Sequence, residues 1–235
     1  MKKALVLFSG GKDSMLSSIL LIEQGFQVYL VHYDNSFELG NKNVKNGFKR
    51  LQEKYGSDKV KYLGVKKIDG IFREFIKDFY NFKTNEISKK YGEITISQFN
   101  CLACRLSMYI ETIIICNSLG ISYVADGARK SQLFAIEQDK MLALFSELFK
   151  KYNINLLLPV KDLKDDFQEK NEFLVRGFIP KVSESQCLIG VPLKNNDVDE
   201  LSVSTCINIY NKLLFPKIDS IIERYKKIDF GEKYI

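Results

Sequence analysis

The sequence lacks several features that would assign it to common classes of protein. It has no run of 18 apolar residues, the length that a membrane-spanning helix needs, and no secretory signal, because Met1-Lys2-Lys3 leads straight into a short apolar stretch. No internal repeat or low-complexity tract is visible. These absences predict a cytoplasmic protein without membrane contact, in which the five cysteines are reduced thiols, metal ligands or catalysts rather than structural disulfides.

The residues of common metal and nucleotide sites are also scarce. The only histidine is His32, and a single histidine carries no pattern. The only Cys-x-x-Cys pair is Cys101 and Cys104, without the second pair that a zinc site of this kind uses. The glycine turn at Gly10-Gly11 is too short for the P-loop of common NTPases, which reads Gly-x-x-x-x-Gly-Lys-Ser/Thr.

What is present predicts an α/β protein. A chain of 235 residues with 46% hydrophobic content can bury one large core, or one core and a modest appendage. The net charge of +6 and the pI near 8.9 suit contact with a polyanion, although many lysine-rich proteins that bind no nucleic acid are equally basic.

Alternating apolar and amphipathic stretches predict a doubly wound parallel sheet of five strands with helices on both faces, followed by a small helical part. The predicted boundaries are residues 1–190 for the nucleotide-binding domain and 191–235 for the extension. Segment 81–100 is predicted as a loop or insertion over the site. The predicted strands cover residues 4–7, 27–33, 60–65, 121–125 and 154–160, and the predicted helices 15–24, 43–55, 71–80, 106–119, 138–152, 162–176 and 206–224.

The stretch that organises the chain is the glycine turn behind the first strand. A buried strand that breaks at Gly-Gly and continues as a helix leaves several backbone N–H groups pointing at one spot in front of a positive helix end. That spot is an anion site. The glycines allow close approach of the main chain, two serines add hydroxyl donors and Lys12 adds a mobile charge. Asp13 beside a bound anion would repel it unless a cation lay between them, which predicts a role for Asp13 in positioning Mg²⁺. The motif reads Phe8-Ser9-Gly10-Gly11-Lys12-Asp13-Ser14.

Ser-Gly-Gly-Lys-Asp-Ser after a first strand resembles the PP-loop of the N-type ATP pyrophosphatases, the superfamily with the adenine nucleotide alpha hydrolase-like (HUP) fold. These enzymes cleave ATP between its α and β phosphates and adenylate a substrate. The resemblance implies ATP and Mg²⁺ as cofactors, with Lys12 and Asp13 as catalytic residues and Asp13 on the metal. It also implies ATP contacts from the whole motif, from His32 or Tyr33 after the second strand, and from Gly127 and Arg129 after the fourth.

Two features of that resemblance leave alternatives open. His32 is equally well explained as a hydrogen-bonded core histidine. After the fourth strand the sequence reads Asp126-Gly127-Ala128-Arg129-Lys130-Ser131, without the Gly-His-x-x-Asp-Asp form that is usual in the superfamily. Arg129 and Lys130 are therefore either triphosphate contacts or part of a solvated basic loop.

The Cys-x-x-Cys pair is predicted at the start of a helix, where the positive end of the helix dipole would stabilise thiolates. By itself the pair can hold zinc, form a redox dithiol, bind an iron–sulfur cluster or have no function. Cys116, inside Ile113-Ile114-Ile115-Cys116, is predicted as a core residue, and Cys206 as part of the closing helix. Cys187 lies in a glycine- and proline-bounded stretch, residues 179–192, that is predicted as a loop.

Within the PP-loop group, the arrangement of Cys101, Cys104 and Cys187 is similar to that of the tRNA 2-thiouridine and 2-thiocytidine synthetases. Those enzymes carry a Cys-x-x-Cys in mid-chain, and one branch adds a third cysteine about eighty residues later; here Cys187 follows Cys104 by 83 residues. The resemblance implies three thiolates on a 4Fe-4S cluster with one iron open for hydrosulfide. A metal-free persulfide with a resolving cysteine fits the same spacing. The thiouridine branch binds tRNA with zinc-binding ends, and this sequence lacks them.

The resemblance thus predicts an ATP-dependent sulfurtransferase that adenylates a base carbonyl and inserts sulfur. Its expected partners are ATP, a sulfur donor and either tRNA or a free base or nucleoside, and a homodimer is left open. An amide ligase or deazaguanine nitrile synthase that uses ammonia is the alternative enzyme. Those relatives carry cysteines clustered as a zinc site near the C-terminus, and this sequence lacks such a cluster. A non-enzymatic ATP-binding regulatory module is the third hypothesis.

Overall fold

The computed structural model describes residues 1–39, 44–81, 84–180, 186–188 and 200–229. Its strands are β1 (Lys2–Leu7), β2 (Phe26–Asp34), β3 (Glu38–Leu39), β4 (Val60–Lys67), β5 (Tyr123–Ala125), β6 (Asn155–Leu157) and β7 (Gln186–Cys187). Five of them form one parallel sheet in the order β4-β2-β1-β5-β6, and β3 pairs with β7 in a separate antiparallel ribbon. The predicted five-stranded parallel sheet is confirmed.

Helices cover both faces of this sheet. They are α1 (Lys12–Glu23), α2 (Val44–Tyr55), α3 (Asp69–Asn81), α4 (Thr84–Tyr91), α5 (Ile96–Leu119), α6 (Asp139–Lys151), α7 (Asp166–Val175), α8 (Glu200–Ile209) and α9 (Ile218–Asp229). Short 3₁₀ turns lie at Lys130–Gln132, Ala135–Glu137 and Phe215–Lys217, and a π-helical turn lies at Tyr210–Leu214.

The central strand β1 shows why the sheet is covered on both sides. Its last four residues are buried, and because successive side chains of a strand point to opposite faces, they divide between two apolar clusters. Leu5 and Leu7 join the cluster built by α3, α4, α5, α6, α8 and α9. Ala4 and Val6 join the cluster built by α1, α2 and α7.

The sheet order places a ligand crevice at a defined point. From β1 the chain passes through α1 to β2 on one side, whereas β5 pairs with the other side of β1. Open parallel sheets bind ligands at such a switch point, outside the carboxyl ends of the strands. The glycine turn after β1 and the loop after β5 therefore meet there.

The start of α5 differs from the prediction. Thr95 caps the helix: its side chain accepts a hydrogen bond from Gln98 N at 3.1 Å, and Gln98 Oε1 accepts from Thr95 N at 3.0 Å. This capping box begins the helix at Ile96, so Cys101 and Cys104 lie in its second and third turns and not at its N-terminus. Of the two predictions for residues 81–100, the loop is wrong where the structure describes the segment, since α4 and the first turn of α5 occupy it, while an insertion over the site stays a prediction.

Two further predictions near the C-terminus are corrected. Within the stretch predicted as a loop, Cys187 pairs with Glu38 in the β3–β7 ribbon, while residues 181–185 and 189–192 lie outside the described residues. The closing helix begins at Glu200 and not at Cys206, and Pro216 divides it into α8 and α9, because proline lacks the N–H that an unbroken helix needs. Both helices pack on the α5 side of the sheet, while the division into domains at residue 190 remains a prediction.

Candidate active site

The glycine turn is held in one shape by its own backbone. Phe8 is buried, and its N–H donates to the carbonyl of Val31 at 2.8 Å. Gly10 has φ +77°, and a Cβ there would lie 3.0 Å from Val44 Cα, so both conformation and space favour glycine. Gly11 is the N-cap of α1 and has no side chain to cap it, which leaves N–H groups at the start of α1 available to an anion.

The two serines of the turn face each other. Ser9 Oγ accepts a hydrogen bond from Gly11 N at 3.1 Å and lies 3.1 Å from Ser14 Oγ, which itself donates to the Gly11 carbonyl at 3.1 Å. The loop after β5 closes on this group, since a Cβ on Gly127 would lie 2.9 Å from Ser14 N. Glycine at position 127 is therefore required by close approach of the two loops.

A cavity of about 250 Å³ opens beside the serines. His32 and Tyr33, which the resemblance implies as adenine or ribose contacts, both line it and are both buried. His32 Nδ1 lies 3.1 Å from the Phe8 carbonyl, and the Tyr33 hydroxyl lies 2.7 Å from Thr112 Oγ1. Their position suits nucleotide contact, and their role in binding remains a prediction. The cavity is lined by Leu7, Phe8, Ser9, Asp13, Ser14, His32, Tyr33, Arg105, Met108, Asp126, Gly127, Gln132 and Glu137.

A buried charge network forms one wall of the cavity. The Arg105 guanidinium contacts Asp126 Oδ2 at 2.5 Å and Glu137 Oε1 at 2.9 Å, and the Tyr109 hydroxyl donates to Asp126 Oδ2 at 2.6 Å. One guanidinium thus binds two carboxylates. Burial raises the pKa of Glu137 to about 7, against the lowering effect of Arg105. The sequence analysis missed Arg105 and Glu137; the position of Arg105 directly after Cys104 was the available signal.

Asp13 lies between this cavity and a second one of about 500 Å³. Its Oδ1 is 3.0 Å from Arg129 Nε, and its Oδ2 accepts a hydrogen bond from Gln132 Nε2 at 2.6 Å. Burial, followed by the negative charge of Glu169, raises the pKa of Asp13 to about 8. Arg129, exposed only 6%, also binds Asp166 Oδ1 at 2.7 Å. The structure therefore places Asp13 and Arg129 together.

Lys12 and Lys130 differ in their surroundings. Lys12 Nζ lies 2.9 Å from Glu169 Oε2 and lines the second cavity. Lys130 Nζ lies 2.9 Å from Asp162 and 3.2 Å from Asp139, on carboxylates that are largely exposed. Lys12 is therefore part of the site, whereas Lys130 fits the alternative of a solvated basic loop.

The cysteines lie at the same edge of the sheet. Cys104 Sγ accepts a hydrogen bond from Asn35 Nδ2 at 3.1 Å, just after β2, and the β3–β7 ribbon brings Cys187 to the chain that leaves β2. Burial, and then the nearby Cys104 and Cys187 thiols, raise the pKa of Cys101 to about 12, against the lowering predicted from a helix N-terminus.

The two remaining cysteines both lie in the interior of the protein. Cys116 is buried in the core, as predicted, and Cys206 on α8 is buried and shares a small cavity of about 10 Å³ with Cys101. Over the described ranges, no group of three or more His, Cys, Asp or Glu could hold a metal ion. A group of that kind holds one ion, whereas each thiolate of a 4Fe-4S cubane binds a different iron, so the Cys101, Cys104 and Cys187 donors fit a cluster chemically.

The apolar helix α5 is the one described helix that could cross a membrane by length and composition. It carries Cys101, Cys104 and Arg105, and 78% of its most apolar stretch is buried inside the protein. Such burial is typical of a core helix, and α5 packs against both α3 and α9.

Solved structures of other proteins share the fold of this chain. A 4-thiouridine synthetase, solved as an RNA complex with bound ATP, superimposes with a TM-score of 0.61 at 15% identity, covering 96% of this chain and 53% of that one. This chain thus spans about half of that protein. A predicted subunit of tRNA methyltransferase from Methanocaldococcus jannaschii gives a TM-score of 0.47 at 16% identity, covering 80% of this chain and 97% of that one. No curated protein matches the chain.

The family of the chain is shown by a match to its N-terminal part. The family model described as "Thiamine biosynthesis protein (ThiI)" matches residues 1–136, which hold the glycine turn, the Cys-x-x-Cys pair and the loop after β5. The match covers more than half of the sequence, and it agrees with the PP-loop superfamily that the glycine turn resembles. The chain belongs to the ThiI family of PP-loop proteins.

Proposed function

We propose that this protein is an ATP-dependent sulfurtransferase that adenylates a carbonyl oxygen of a nucleobase and replaces it with sulfur. The observation that carries the proposal is the shared position of the glycine turn and the cysteines at the carboxyl edge of the sheet. Arg105 connects them, because it follows Cys104 on α5 and lines the same cavity as Ser9 and Ser14. The ThiI family supports the same activity.

In the first step the base oxygen attacks the α-phosphorus of ATP and pyrophosphate leaves. The N–H groups of the glycine turn, the hydroxyls of Ser9 and Ser14 and the ammonium of Lys12 would bind and orient the phosphates. Asp13 would hold Mg²⁺, which neutralises the charge that develops on pyrophosphate. The buried walls of the cavity would exclude water from the adenylate.

In the second step sulfide attacks the activated carbon, and AMP leaves with the original oxygen. The exchange of oxygen for sulfide involves no change of oxidation state. A 4Fe-4S cluster on Cys101, Cys104 and Cys187, when bound, would supply an iron atom that holds the sulfide. A persulfide on one of these cysteines is the metal-free alternative; it needs a resolving cysteine and an external thiol reductant.

The acceptor is proposed to be tRNA, with a free base or nucleoside as the alternative. The solved relative is a 4-thiouridine synthetase bound to RNA and ATP, and the net charge of +6 suits a polyanion. A separate sulfur donor, a homodimer and a cytoplasmic location remain predictions.

Product analysis tests the proposal. Incubation with ATP, Mg²⁺, sulfide and unmodified tRNA should give AMP, pyrophosphate and thiolated tRNA in equal amounts. ADP and orthophosphate would contradict it, and ammonia-dependent AMP formation would favour the amide-forming alternative. An absorption band near 400 nm in anaerobically purified protein, about where Cys-ligated clusters absorb, would distinguish the cluster from a persulfide.

A further inference from the structure

Glu169 is a buried acid whose described ion pair is with Lys12 of the glycine turn and to which the proposed mechanism gives no role. It lies in the first turns of α7, and its side chain has no exposed surface. Neither carboxylate oxygen accepts a hydrogen bond from the described residues, and the ion pair of Oε2 with Lys12 Nζ, at 2.9 Å, is the one ion pair that Glu169 forms there. A buried carboxylate is costly unless cations or donors compensate it, so this one needs a specific reason.

Glu169 and Asp13 belong to one cluster of charged side chains at the glycine turn. Lys12 Nζ lies 2.9 Å from Glu169 Oε2 and 3.9 Å from Asp166 Oδ2, and Arg129 contacts Asp166 at 2.7 Å and Asp13 at 3.0 Å. The same turn is where the phosphates of a nucleotide would bind. Asp13 Oδ1 is also buried without a hydrogen bond, although Arg129 Nε lies 3.0 Å away. Two adjacent buried carboxylates repel each other unless a proton or a cation lies between them, and burial together with this repulsion raises the pKa of Asp13.

Magnesium is the cation that this arrangement suits. In nucleotide sites Mg²⁺ is bound by one or two carboxylates together with phosphate oxygens and water. Asp13 and Glu169 supply two such carboxylates from different elements, and the glycine turn supplies the place for the phosphates. Lys12, the nearest cation to Glu169, carries a single charge on a flexible stem that can turn toward a phosphate instead.

We propose that Glu169 is the second carboxylate ligand of the Mg²⁺ that accompanies ATP, together with Asp13. Lys12 pairs with Glu169 while nucleotide is absent and with a phosphate when it is present. This inference rests on the proposed function, because it concerns the metal of the same ATP site.

The test measures metal binding directly. Mn²⁺, which replaces Mg²⁺ and is detected by electron paramagnetic resonance, is titrated into protein saturated with α,β-methylene-ATP, which resists cleavage between the α and β phosphates. Glu169→Gln should weaken Mn²⁺ binding at least about tenfold. The matched control is Glu172→Gln, the same change on the same helix at a residue that pairs with Arg176 and not with the glycine turn. Circular dichroism and melting temperature establish that both variants fold.

The alternative is that Glu169 only positions Lys12. In that case Glu169→Gln would change the affinity for metal-free nucleotide but leave the Mn²⁺ affinity within about twofold of wild type, and the inference would be wrong. Glu169→Asp, which keeps the charge, should recover part of the metal affinity and so separates a ligand from a packing residue. If Glu169→Gln fails to fold, Glu169→Asp decides alone: an unchanged Mn²⁺ affinity counts against the inference and a weakened one supports it.

A failure of the proposed function can be distinguished from a failure of the inference about Glu169. Wild-type protein that binds Mn²⁺ and nucleotide through Glu169 but forms no AMP with any nucleobase acceptor would contradict the sulfurtransferase and leave the metal site standing. Conversely, suppose that the wild type forms AMP and thiolated product while Glu169→Gln has the same Mn²⁺ affinity as the wild type. That result would contradict only this inference.

Discussion

At the scale of single residues, the glycine turn makes the strongest prediction. Asp13→Asn removes the charge that would hold Mg²⁺, and Ser14→Ala removes a hydroxyl that faces the phosphate position. Each change should lower Mg²⁺-dependent pyrophosphate release by about 10²–10³, the usual effect of losing one donor to a developing charge. Pyrophosphate is measured with a coupled assay. Ser118→Ala, on the exposed surface of α5, is the control and should leave the rate unchanged. Variants at Asp13 or Ser14 with wild-type rates would remove those side chains from the chemistry.

Glu137 makes a prediction about pH. Its pKa is about 7 in the folded protein and near 4.5 when it is exposed, so folding favours the protonated form. Its contribution to stability is therefore fully present below about pH 4.5, falls as the pH rises, and is lost above about pH 7. One unit of pKa corresponds to about 1.4 kcal/mol, so the decline is of the order of a few kcal/mol.

Urea unfolding between pH 4.5 and pH 8 measures this decline. Glu137→Gln cannot ionise, so its unfolding free energy should fall less over this range than that of the wild type. Glu147→Gln, at an exposed position of α6, should keep the wild-type slope. Parallel curves for Glu137→Gln and the wild type would show that folding does not raise the pKa of Glu137.

The sequence predicts some residues of the site and not others for a physical reason. Ser9, Gly10, Gly11 and Ser14 act within one short turn, so their spacing alone indicates their arrangement. Glu169 acts on Lys12 from a helix more than 150 residues later, and no local pattern marks that contact. Long-range pairs of this kind become visible only when the fold brings their elements together.

At the scale of elements, α5 shows how a local signal can be missed. The capping box at Thr95 and Gln98 is visible in the sequence, but the polar composition of the preceding segment favours a loop. The earlier helix start moves Cys101 from the positive helix end to a buried position in the second turn. Burial then dominates over the helix dipole, which acts only within the first turn, and the thiol pKa rises. Metal or persulfide chemistry at Cys101 must therefore stabilise a thiolate that the protein alone disfavours.

The elements that carry the cysteines make a prediction about iron. Changing Cys101, Cys104 or Cys187 to Ala should remove most of the iron and the thiolation activity together, because a cubane on two thiolates is poorly retained. Iron and acid-labile sulfide are measured after anaerobic reconstitution. Cys116→Ala and Cys206→Ala are the controls and should keep the iron content, since both residues are buried in apolar surroundings.

Two results would contradict the cluster. Zinc at one equivalent with no iron would replace it with a different metal site. An active protein carrying Cys187→Ala would remove that residue from sulfur transfer, whatever the metal.

The β3–β7 ribbon could not be predicted from sequence, because each strand has two residues and its partner is distant in the chain.

At the scale of the whole molecule, the C-terminal helices belong to the same packed body as the site. Val203, Ile209, Leu214 and Ile221 are buried in the cluster that contains α5. The alternation of strands and helices was enough to predict a parallel sheet with helices on both faces, because parallel neighbours need a crossover that is usually a helix. The order β4-β2-β1-β5-β6 was not predicted. It could not predict which face the last helices cover, because amphipathic helices of similar composition fit either face.

Overall charge makes the last prediction. If the acceptor is tRNA, affinity should fall steeply with salt, because each phosphate contact releases a counterion and adds about 0.9 to the slope of log K against log salt for duplex nucleic acid. Lys164 is exposed beside the second cavity at the carboxyl edge of the sheet, and Lys3 is exposed at the amino end of β1, on the opposite edge. Lys164→Gln should weaken binding and lower the slope by about one, while Lys3→Gln, which removes the same charge, should change neither. Filter binding at several salt concentrations measures both quantities. Equal losses from the two variants would indicate a net-charge effect without a defined RNA surface, and an affinity independent of salt would favour a free base or nucleoside as the acceptor.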